Sequence, residues 1–137
     1  MSLSEEERVA VVSYRIEKAQ NAIDEAEKVS AIGLWNIAAN RLYYALFHAV
    51  SAMLILDHHE IGIHRGAVNR FSMYYVKTGL FSKQEGRLYS QLQSLREDGD
   101  YNCSFDVEQD EVEHYIQPTL TLIDKIKQYI ENTQSKV

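Results

Sequence analysis

The sequence predicts an all-α protein, an antiparallel up-and-down bundle of four to five helices, on three observations. Apolar residues recur with a period of about 3.6 along most of the 137 residues, no stretch alternates as a half-buried strand would, and there is a single proline. A chain of this length holds one hydrophobic core without staples, so residues 1–132 form one domain and 133–137 a frayed tail.

Each helix has its own warrant. Ser4 caps the first, whose opening turn of Glu5, Glu6 and Glu7 places carboxylates at the positive end of the helix dipole. Val9, Val12, Ile16, Ala19, Ile23 and Ala26 make its core face, and Gly33 ends the unit. The second, central helix runs from Trp35 to about Asp57. A loop from His58 to His64 leads to a third helix from about Arg65 to Thr78, stopped by Gly79. Ser82 caps a fourth helix with Leu88, Leu92 and Leu95 inward, running to about Glu97, after which Asp98-Gly99-Asp100 breaks the chain. The last helix opens near Asp106 and spans about Val107 to Asn132. It turns Val112, Tyr115, Ile116, Leu120, Ile123, Ile126 and Ile130 inward, with Pro118 as an internal kink.

Composition narrows the function. Lys and Arg total 14 against 20 Asp and Glu, a formal charge of −6, so no broad basic face awaits nucleic acid and any RNA contact must be local. The single cysteine, Cys103, excludes an internal disulfide framework and lacks the companions of a zinc site, which fits a reducing, cytoplasmic setting. No signal-peptide pattern is visible, and the longest apolar run, Leu42 to Leu56, falls short of the ~20 residues a membrane span needs. His58, His59 and His64 sit in and around a loop without a helical pair of ligands, so no metal is expected there; no Gly-rich phosphate loop or other cofactor motif is present.

The central helix carries the functional signal. Arg41 and His48 are seven residues apart, so they differ by only ~20° around the axis and stand ~10.5 Å apart along it. Tyr44 falls between them, and Asn40 and Ser51 flank the stripe. Leu42, Ala45, Leu46, Phe47, Ala49, Val50, Met53 and Leu54 cover the remaining circumference. A helix apolar nearly all round is buried, and a buried charge needs a partner or a purpose.

The run Ala38-Ala39-Asn40-Arg41-Leu42-Tyr43-Tyr44-Ala45-Leu46-Phe47-His48-Ala49 resembles the Arg-x6-His motif of HEPN domains. His64-Arg65-Gly66, Phe71 and Lys77-Thr78-Gly79 resemble that family's loop and third helix, and Arg96 through Asp100-Tyr101 its Arg-x3-Asp-Tyr near the end of the fourth. The resemblance implies a helical bundle that forms a homodimer with a composite, metal-independent ribonuclease site, and assigns Arg41 and His48 to catalysis. It equally implies members that bind nucleotides or partner a minimal nucleotidyltransferase in toxin–antitoxin pairs. Leu42 stands where ribonuclease-type members carry a small polar residue after the arginine; Asn40 precedes it instead.

The chemistry suits the pattern. Imidazole titrates near neutrality and serves as acid or base, while guanidinium offers a rigid fork for phosphate oxygens. One Arg and one His are a thin complement, and two-fold pairing along this helix would double it. Exposing Ile37, Ala52 and Ile55 beside a polar stripe also favours such a dimer. A structural reading competes: Arg41 pairs with Asp98 or Asp100 to lock two helices, His48 is a satisfied core histidine, and Tyr44 is a packing ring. Arg96, Asp100 and Tyr101 are, on that reading, a tied-down helix end; on the functional reading Arg96 adds a second positive group to the cleft.

Overall fold

The computed structural model describes residues 3–62, 64–101 and 106–136; Cys103 lies outside them. Its elements are α1 (Glu5–Ala31), α2 (Trp35–Leu56), α3 (His64–Phe71) continued by a π-helical turn (Ser72–Val76), α4 (Lys83–Tyr101) and α5 (Gln109–Ser135). Among the described residues there is no strand, and no helix is long and apolar enough to cross a membrane. The central element is α2, which packs against α1, α3, α4 and α5.

The ends of the helices follow local chemistry. Ser4 Oγ accepts from the Glu7 amide at 3.1 Å while Glu7 accepts from the Ser4 amide at 2.9 Å, a reciprocal cap on α1. Ser82 and Glu85 repeat the device on α4, at 3.1 and 2.7 Å. At the far end of α1, Gly33 takes φ +76°. Its amide reaches the Ser30 carbonyl at 3.1 Å and the Leu34 amide the Val29 carbonyl at 2.9 Å, so two orphan carbonyls are satisfied.

Four expectations shift. Val9 is 49% exposed although it is in period, and the buried residue of that turn is Arg8, whose Nη1 donates to the Ile55 carbonyl at 2.7 Å. The third helix gives way at Ser72 to a π turn that ends at Val76; within it Tyr75 is buried, its hydroxyl on Asp57 at 2.7 Å. Asp98-Gly99-Asp100 does not break α4, which continues to Tyr101. Gly99 is there for space: a β-carbon would stand 2.8 Å from Val107 Cγ2, and the Val107 amide donates to Asn36 Oδ1 at 2.7 Å. Finally, α5 begins at Gln109 and runs to Ser135, three residues into the tail expected to fray. Pro118 lies inside it, and Thr119 and Leu122 join the buried face while Tyr115, Ile116 and Leu120 pack at its edge.

Candidate active site

Burial leaves one strip of α2 open. Leu42, Tyr43, Ala45, Leu46 and every residue from Ala49 to Ile55 are sealed in the core, whereas Ile37, Asn40, Arg41, Tyr44, Phe47 and His48 keep solvent contact. These positions recur every three or four residues, so they form a seam along one side of the helix. Helix α1 borders it with Arg15 and Glu25, and α4 with Arg96, Asp100 and Tyr101.

Arg41 sits between two acceptors. Its Nη1 pairs with Glu25 Oε1 at 3.3 Å, and its Nε and Nη2 both donate to Asn40 Oδ1, at 3.0 and 2.7 Å. The guanidinium lies 5.2 Å from the Tyr44 ring centre. Asn40 uses its other end as donor, Nδ2 to Asp100 Oδ2 at 2.8 Å. A guanidinium only donates and a carboxylate only accepts, so the amide is held in one orientation as a bridge between them.

The expected Arg41 pairing with Asp98 or Asp100 is therefore not found. Asp100 reaches Arg41 only through Asn40, and its own cation is Arg96, at 3.7 Å. Arg96 is 3% exposed and donates to the Tyr101 hydroxyl at 3.2 Å. Its guanidinium rests over the rings of Tyr43, Tyr44 and Tyr101 at 4.7, 5.6 and 5.5 Å. Burial against three rings makes it a clamp between α2 and α4.

His48 is half-buried, edge-on to Phe47 with ring centres 5.7 Å apart, and its Nδ1 lies 3.1 Å from Arg15 Nη1. Burial, followed by the positive charges of Arg15, Lys18 and Arg41, lowers its pKa from 6.5 to about 4. The imidazole is therefore neutral at pH 7.

The structure gathers Asn40, Arg41, Tyr44, His48, Arg96, Asp100 and Tyr101 on one seam. Ser51 does not join them: it is fully buried, and among the described residues its hydroxyl has no hydrogen-bond partner. Ala52 and Ile55 are also core residues, which leaves Ile37, 47% exposed, as the apolar flank of the seam. Arg15, Lys18 and Glu25 are the residues that sequence reasoning missed. Their spacing on α1, three and then seven residues, is helical and could have marked a second polar stripe. Of the loop histidines, His59 stacks on Tyr74 with ring centres 3.7 Å apart, and His58 Nε2 lies 3.8 Å from Glu5.

Four helices packed around a central fifth, whose open face carries an arginine and a histidine two turns apart, define the class. The chain matches the family model of the HEPN domain over residues 12–129 and belongs to that family. It is 30% identical over 126 residues to a UPF0332 protein of Thermotoga maritima, covering 92% of this chain and 96% of that one. Two proteins of Methanocaldococcus jannaschii are also similar. One, named "Putative toxin MJ0605", is 30% identical and shares 82% of this chain and 83% of its own. The other, "Putative toxin MJ0142", is 23% identical, covering 84% and 78%.

Proposed function

We propose that this protein is a metal-independent ribonuclease of the toxin type, active as a homodimer in which two copies of the Arg41/His48 seam face one RNA phosphodiester. The observation that carries this reading is the placement of a guanidinium and an imidazole on the one unsealed face of α2. Ile37 beside them gives that face an apolar margin suited to a second copy. Relatives named as toxins support the toxin role, and a cytoplasmic setting goes with it.

Two seams supply what the reaction needs. The 2′-oxygen attacks phosphorus as its proton passes to one imidazole, the bond to the 5′-oxygen breaks, and that oxygen takes a proton from the other imidazole. The products are a 2′,3′-cyclic phosphate and a 5′-hydroxyl. Arg41 contributes a fork for the non-bridging oxygens, where charge builds in the transition state.

Purified protein should cut single-stranded RNA in EDTA and leave DNA of the same sequence intact for want of a 2′-hydroxyl. His48→Ala and Arg41→Ala should each lower the rate by ~10²–10⁴ while keeping the wild-type melting temperature and dimer mass. A divalent-metal requirement, or a monomer that cleaves at full rate, would overturn the reading.

Leu42 favours a second reading. The position after the arginine is sealed in the core at 2% exposure, and Arg41 is already engaged by Glu25 and Asn40. A non-catalytic module that binds a nucleotide or docks a small nucleotidyltransferase would have these properties. Absent cleavage together with saturable nucleotide binding, or co-purification with a nucleotidyltransferase encoded beside it, would select that reading.

A further inference from the structure

Arg15 is unlike the other arginines of the seam. Arg41 has Glu25 and Arg96 has Asp100, but among the described residues no carboxylate pairs with Arg15. Its hydrogen bond goes instead to the Nδ1 of His48. A guanidinium has no acceptor and does not deprotonate in proteins, so Nδ1 must present its lone pair and the imidazole proton must sit on Nε2. The pair is thus a cation resting on a neutral ring. That is a weak partner for a full charge, and an anion would be a better one.

The other charges around His48 point the same way. From α1 come Arg15 and Lys18, the latter over the Tyr14 ring at 5.3 Å; from α2 itself comes Arg41, partly neutralised by Glu25. From α4, Arg96 and Asp100 turn to the same seam but engage each other, Tyr101 and Asn40. The balance beside His48 is positive, in a protein whose net charge is −6.

We propose that Arg15 is an anion-responsive positioning residue. At rest it holds His48 as the neutral Nε2–H tautomer, and a phosphodiester oxygen draws its guanidinium off Nδ1, freeing that nitrogen to take a proton. The inference rests on the ribonuclease reading for the identity of the anion, and on the Arg15–His48 contact alone for the coupling. Anion binding and His48 protonation are then linked: the anion raises the proton affinity of His48, and protonation raises anion affinity by the same factor. A histidine that is neutral in the free protein becomes protonatable when substrate arrives. This supplies the acid that the resting geometry withholds.

The test is a side-chain nitrogen NMR titration of His48 in the full chain, which needs no cleavage. Sulfate serves as one probe because it stays dianionic from about pH 4 to 8, and a 2′-deoxy dinucleotide as the other because it cannot be cut. Chloride at matched ionic strength controls for screening. In wild type, the free protein should show an unprotonated Nδ1 and a midpoint well below ~6.5, moving up by one pH unit or more with either probe but not with chloride. Arg15→Gln should start with a higher midpoint and lose the response to both probes; Arg15→Lys, which keeps the charge but not the fork, should retain part of it. If the midpoint responds while the protein cleaves no RNA, Arg15 keeps this role and the ribonuclease reading falls. A protonated Nδ1 in the free protein, an equal effect of chloride, or an undiminished response in Arg15→Gln overturns the inference. If cleavage is found, Arg15→Gln should also move the acidic limb of its pH profile, which a merely structural residue would not do.

Discussion

Truncating Asp57 to Ala tests how α2 is anchored. Asp57 follows the last turn of α2, where helix carbonyls make a carboxylate unfavourable by ~0.3–1 kcal/mol. It is retained there as the shared acceptor of two hydroxyls, Tyr75 from the π turn and Tyr129 from α5, each at 2.7 Å. Removing it orphans them unequally. Tyr75 is 1% exposed, so its hydroxyl loses its principal acceptor and keeps only the Met53 carbonyl at 3.2 Å, whereas the half-buried Tyr129 can turn to water. An unsatisfied buried hydroxyl costs ~1–3 kcal/mol, and the surviving Met53 contact together with relief of the helix end lowers the net loss to ~1–2 kcal/mol. For a domain of 137 residues that is roughly 3–8 °C in melting temperature, read by circular dichroism and urea titration. Asp57→Asn, which keeps one acceptor and drops the charge, should lose less. The discriminating measurement is the double-mutant cycle with Tyr75→Phe: with both groups gone no fully buried orphan remains, only the water-accessible Tyr129 hydroxyl, so the double variant should be ~1 kcal/mol better than the sum of the single losses. Additivity within ~0.3 kcal/mol, or an Asp57→Ala protein as stable as wild type, would refute the reasoning.

The same cluster sets an alkaline limit. Burial and the Asp57 carboxylate push Tyr129 up to about 12, so its stabilisation is complete below ~10, the unfolded value, and is lost as pH rises from there through 12; Tyr129→Phe should flatten that decline. His48 acts at the other end. Its folded pKa, lowered to about 4, makes the unfolded chain bind the extra proton, so stability should fall as pH drops from ~6.5 to 4, by ~1–2 kcal/mol after discounting for a half-buried ring, and His48→Gln should remove that slope in a pH series of urea melts. Ala52→Arg should unfold the monomer rather than loosen a dimer, because Ala52 is fully buried; a folded, monomeric variant by sedimentation and circular dichroism would show otherwise. Gly99→Ala should lower the melting temperature despite alanine's better helix propensity, since the new methyl meets Val107 Cγ2 at 2.8 Å.

What could be read from the chain was whatever a few neighbouring residues decide. The caps at Ser4 and Ser82 are contacts across three residues, and the stop at Gly33 needs only a residue that tolerates positive φ, so the sequence locates them closely. The Arg41–His48 stripe was legible for the same reason, being a statement about one helix's period. Asp98-Gly99-Asp100 misleads because Gly99 answers to Val107 across the bundle, and local breaker chemistry is overridden by that packing. Val9 misleads because period alone cannot rank it against Arg8, whose long stem is buried while its Nη1 finds the Ile55 carbonyl.

The surroundings of the stripe depend on one quantity that no local pattern contains, the register of α1 against α2. The Arg8 to Ile55 hydrogen bond reports that register at one end. Moving seven residues, two helical turns, inward on both antiparallel helices brings Arg15 to His48, so these two contacts express a single alignment, while Glu25 meets Arg41 three residues out of that register across the length of the arginine side chain. A slip of one turn would exchange these partners. His48 could then face Lys18 or the apolar stripe, and Arg41 could lose its carboxylate, with no change in either helix's own amphipathic pattern. Ala19, Ala22 and Ala26 on α1 and Ala38, Ala45, Ala49 and Ala52 on α2 are all buried, and a close-packed core penalises a slip that would set larger side chains in their places. Small residues in the core of the α1/α2 pair thereby reach the chemistry of the seam: they fix which charge stands beside the imidazole, and through it which nitrogen carries the proton.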